Sequence, residues 1–157
     1  MLADELKNRR KLAKHFEEPE VWYLLYSLIT ASHDFRKISS KVGDIRPQNI
    51  FINEVGQIKV SNLFSFPAET TNYIKTIYEG EKTYLSPEEI ESCQSGQHET
   101  YIDKNKAEAF SIGLTALETA SIRNMESLYP TPKSMNRNYL EALVKDWWTL
   151  KYEYENE

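Results

Sequence analysis

The chain has 157 residues, 40% of them hydrophobic, which is enough for one globular domain with a core of its own. It carries 24 acidic against 19 basic residues, a net charge of -5, and a pI near 5.3. That balance argues against a nucleic-acid partner or an anionic membrane surface, since both select basic patches.

Cys93 is the single cysteine, so no internal disulfide is available, which suits a reducing compartment. His15, His33 and His98 have no metal-site spacing, and no metal is expected. The opening "MLADELKNRRKLAKHF" lacks the apolar run of a signal peptide, and no apolar stretch reaches the length of a membrane span. A soluble, cytoplasmic protein is the expectation. Ten Tyr and three Trp are many for this length; most should fill a core, and some suit a protein interface.

In chain order, residues 3 to 16 read as an amphipathic helix whose basic face (Lys7, Arg9, Arg10, Lys11, Lys14) is solvated. "EEPEVWYLLYSLITASHDF" follows, with Pro19 in the first turn and acidic residues at the positive helix end. Val21, Leu24, Leu25 and Leu28 repeat at helical spacing and Trp22 and Ile29 broaden the stripe, so this helix is expected to be well buried. "NIFIN" and "GQIKVS" predict a small hairpin turning at Gly56. Residues 62 to 85 lack periodicity and read as irregular. In "SPEEI", Ser86 caps, Pro87 takes the first turn and Glu89 completes a capping box. After a polar loop over 94 to 102, "DKNKAEAFSIGLTALETAS" is apolar around most of its circumference, as a central helix would be. Pro130 and Pro132 mark a loop. A last helix starts near Asn138, with Leu140, Leu143, Val144, Trp147 and Trp148 toward one side.

These pieces, in this order, resemble the C-terminal lobe of the eukaryotic protein kinase fold. "VGDIRPQNIFI" is similar to the catalytic loop H-R-D-L-K-P-E-N with its following strand. "IKVSNLF" resembles the approach to D-F-G, "TYLSPEE" the A-P-E end of the activation segment, and "AEAFSIGLTALE" the long helix after it. The resemblance covers residues 18 to 122, with 123 to 157 as a C-terminal helical extension of a single domain, 1 to 157. It implies a mainly α fold with one small β-hairpin and no N-terminal lobe.

Phosphoryl transfer depends on positioning and on neutralising charge. By the resemblance, Asp44 stands where an Asp orients the substrate hydroxyl, Arg46 where a basic residue meets phosphate, and Asn49 where an Asn binds magnesium. The rest departs from the pattern. Val42 and Gly43 replace the motif His and Arg, so a phosphorylated activation segment would find no anchor. At D-F-G the chain reads Asn62, Leu63, Phe64, which removes a carboxylate that magnesium favours and a glycine's conformational freedom. The sequence also shows no glycine-rich strand turn, no V-A-I-K lysine and no Glu partner for one. Glu88, at the A-P-E position, lacks its usual Arg.

Asp44, Arg46, Asn49 and Asn62 are therefore read as vestigial, with no catalytic role and no cofactor. Asp and Asn side chains bond nearby backbone readily, so holding a tight loop is a sufficient task for them. The expected function is a catalytically inactive kinase-like scaffold or structural subunit. Its partners would be proteins in a larger intracellular assembly, cytoskeletal or axonemal in kind. Trp147, Trp148 and Glu88 are its interaction candidates: adjacent helix positions point about 100° apart, so burying both tryptophans takes two covering surfaces. The alternatives are a phosphotransferase of the Ser/Thr protein kinase type whose nucleotide lobe comes from another chain, and a regulatory decoy of an active kinase.

Overall fold

The structure, a computed structural model, describes residues 1–37, 45–61, 84–95, 102–131 and 134–154, without the side chains of Glu126 and of 147–154. Val42, Gly43, Asp44, Asn62 and Phe64, the irregular segment from 62 to 83 and most of the polar loop lie outside the described residues.

The described chain is mostly helical. Helix α1 (Leu2–Leu12) and α2 (Glu18–Lys37) lead to a 3₁₀ turn (Pro47–Asn49) and two strands, β1 (Ile50–Ile52) and β2 (Ile58–Val60). Helices α3 (Pro87–Ser95) and α4 (Lys104–Ser121) come next, then a second 3₁₀ turn (Met125–Leu128) and α5 (Arg137–Tyr154). None of these helices is long and apolar enough to cross a membrane.

Helix α1 stops four residues earlier than its basic face suggests. Ala13 turns left-handed at φ 49°, and the amides of Ala13 and Lys14 close back on the carbonyls of Arg10 and Arg9. The cause lies at Phe16 and Glu20. Arg9 stacks over the Phe16 ring at 3.8 Å and holds Glu20 through two hydrogen bonds of 3.0 and 2.8 Å, so the chain must fold back there.

The hairpin is antiparallel and pairs Ile50 with Val60, Phe51 with Lys59 and Ile52 with Ile58. Gly56 sits at φ 80°, a conformation side chains other than glycine adopt at a cost. Asn53 completes the turn. Its Oδ1 accepts from the amides of Val55 and Gln57 at 3.2 and 2.8 Å, replacing backbone acceptors. At the start of α3 the expected capping box forms: the Ser86 amide donates to Glu89 at 2.8 Å, and the Glu89 amide to the Ser86 hydroxyl at 3.3 Å. Asp103 caps α4 through the amides of Asn105 and Lys106 at 3.0 and 3.3 Å.

Among the described residues, two apolar clusters form the core. One gathers Leu2 and Leu6 of α1, Leu24 and Leu28 of α2, Ile45, Ile50 and Ile112. The other gathers Tyr84, Leu85, Ile90, Leu114, Met125, Leu128, Tyr129 and Leu143. Helix α4 supplies Ile112 to the first and Leu114 to the second, so it is central, as its composition implies. Each fully buried leucine, Leu28 for example, contributes about 2 kcal/mol through the water it sheds.

The expectation of a well-buried α2 is not met. Leu24, Leu28 and Ser32 are buried, whereas Trp22, Tyr23, Tyr26 and Ile29 are exposed. Apolar residues exceed what one packed face can cover, and among the described residues nothing packs over the rest.

Candidate functional site

The loop that resembles a kinase catalytic loop is described from Ile45 onward. Arg46 is extended at φ -149° and ψ 161°, as the residue before a proline must be. Pro47 then opens the 3₁₀ turn, which the Asn49 amide closes on the Arg46 carbonyl at 2.9 Å. The Asn49 carbonyl in turn accepts from the Ser61 amide at 2.8 Å, tying the loop to the end of β2.

Both flanks of the loop rest on α4. Ile45 and Ile50 are buried in the cluster that contains Ile112, and the Thr115 hydroxyl donates to the Ile45 carbonyl at 3.3 Å. Thr115 is fully buried, so this bond has no competing water. Asn49 is only 5% exposed. The structure thus brings Arg46 and Asn49 onto one turn, and leaves Asp44 and Asn62 outside what it describes. Among the described residues no group of three or more His, Cys, Asp or Glu side chains is placed to hold a metal ion.

A second polar centre was not legible in the sequence. The carboxylate of Glu118, buried on α4, receives Arg10 at 2.5 Å on one oxygen and the Tyr84 hydroxyl on the other. Burial, and then the Glu118 charge, push the Tyr84 phenol well above the ordinary tyrosine range. Arg10 also donates to the carbonyls of Ile122 and Arg123 at 2.7 and 3.0 Å, meeting the negative end of α4. Tyr84 stacks on Tyr129, with ring centroids 6.2 Å apart, and the Tyr129 hydroxyl donates to the Leu85 carbonyl at 2.8 Å. Tyr84 and Arg10 stand 34 and 108 residues from Glu118 in sequence, and no local spacing announces them.

The interaction candidates divide. Glu88 is exposed and makes no ion pair among the described residues, while its neighbour Glu91 pairs with Arg137 at 2.9 Å. Trp147 and Trp148 lie on α5, where the structure describes the backbone alone. The exposed aromatics that are described belong chiefly to α2.

The chain is 29% identical over 124 residues to the dual specificity mitogen-activated protein kinase kinase sek-1 of Caenorhabditis elegans, a match over 78% of this chain and 35% of that protein. The chain is similar to protein kinases. It is also 30% identical over 122 residues to mitogen-activated protein kinase kinase 2 of Arabidopsis thaliana, covering 76% of this chain and 30% of that one. The MAP kinase kinase MKK1/SSP32 of Saccharomyces cerevisiae is 37% identical over 78 residues, half of this chain and 14% of its own. The chain therefore spans about a third or less of the length of these curated relatives. No family model and no solved structure matches it.

Proposed function

We infer that this kinase-related chain works without catalysis, as a scaffold or structural subunit that binds other proteins in a larger intracellular assembly. The observation that carries the reading is Asn62. It stands where kinases place the carboxylate of D-F-G, and it leaves a triphosphate-bound magnesium ion with one anionic ligand fewer. The loop geometry supports the same reading. Asn49 is enclosed, and the loop is tied to α4 and β2 in a way that needs no nucleotide to hold it. In this reading the described residues correspond to the C-terminal lobe of a kinase, with Arg46 and Asn49 kept for the turn they build.

The test is a thermal-shift titration of the purified chain with ATP and magnesium. A ligand that binds only the native state must raise its stability, by roughly 2.7 kcal/mol at a hundredfold excess over its dissociation constant. The scaffold reading expects no shift.

A second reading has two observations in its favour: the relatives are named as kinases, and Asp44, Arg46 and Asn49 stand at positions that resemble the motif. It is a phosphotransferase completed by a nucleotide lobe from elsewhere. A magnesium-dependent shift, with phosphate transfer abolished by Asp44→Ala in a chain that still folds, would replace the first reading with this one.

A further inference from the structure

We draw no further inference here: the strongest candidate, the open apolar groove between α2 and α4 lined by Ile29, His33, Arg36, Ala109 and Gly113, carries nothing because no feature of the structure shows what covers it, Arg36 and Lys37 at its edge already pairing with Glu108 and Asp34.

Discussion

Arg10 and Glu118, 108 residues apart in sequence, meet at 2.5 Å where α1 crosses the end of α4. Removing the cation would take a charged partner from a buried carboxylate, which is among the costlier single changes a fold can suffer. Arg10→Met should lower unfolding free energy by about 3 kcal/mol in urea. Adding Glu118→Gln should recover part of that loss, and the double-mutant cycle measures the coupling.

Tyr84 shares the same carboxylate. Burial first, and the neighbouring negative charge second, hold its proton on far longer than in the unfolded chain. The stability this contributes is fully present below the ordinary tyrosine value, about 10, and is lost as pH rises above it. Tyr84→Phe should cost about 2 kcal/mol at neutral pH, through the lost bond to a charged acceptor. It should also flatten the alkaline limb of a stability-versus-pH curve.

The capping box at α3 separates two effects within four residues. Ser86→Ala should destabilise by about 1 kcal/mol, the usual cost of a lost N-cap. Glu89 is different: burial raises its pKa above 4.5, against the hydrogen bonds from Ser86 that lower it. Its charged form is therefore the disfavoured one, and this contribution declines as pH climbs above the ordinary value. Glu89→Gln keeps the reciprocal bond and removes the charge, so stability at neutral pH should be unchanged or higher, with a shallower slope through the acid range.

Glu20 titrates in the opposite sense. Burial tends to raise its pKa, but hydrogen bonds from Arg9 and from the Glu17 amide together overcome this and lower it below 4.5. The Arg9–Glu20 clamp therefore stabilises fully above that value and fades as pH falls through it. Glu20 is partly exposed, so Glu20→Gln should cost less than about 1 kcal/mol at neutral pH. Acid unfolding monitored by circular dichroism should become less steep in that variant.

Local chemistry is readable from the residues and distant chemistry is not. The hairpin turn at Gly56, the Ser86–Glu89 box and the helical run after Asp103 each declare themselves within a few residues. The resemblance to a kinase catalytic loop is local in the same way, because Asp44, Arg46 and Asn49 fall within six residues of one another. Glu118, by contrast, looks like a polar residue ending an apolar helix, and its partners lie on α1 and just before α3. Periodicity overstates the burial of α2 because it marks which residues are apolar, not how much surface exists to cover them. Trp22 and Ile29 fit the stripe and still face outward.

The end of α4 is written only partly in α4 itself. Ile122 stops the helix in a left-handed turn at φ 50°, a geometry that strains a β-branched residue and that helices usually give to glycine. Ser121 helps locally, its Oγ accepting from the Arg123 amide at 3.3 Å. Arg10 reinforces the stop from a distance, by taking the Ile122 and Arg123 carbonyls that a longer helix would have used. The length of the central helix is therefore in part a tertiary property, and a substitution in α1 can change where α4 finishes without touching a residue of α4.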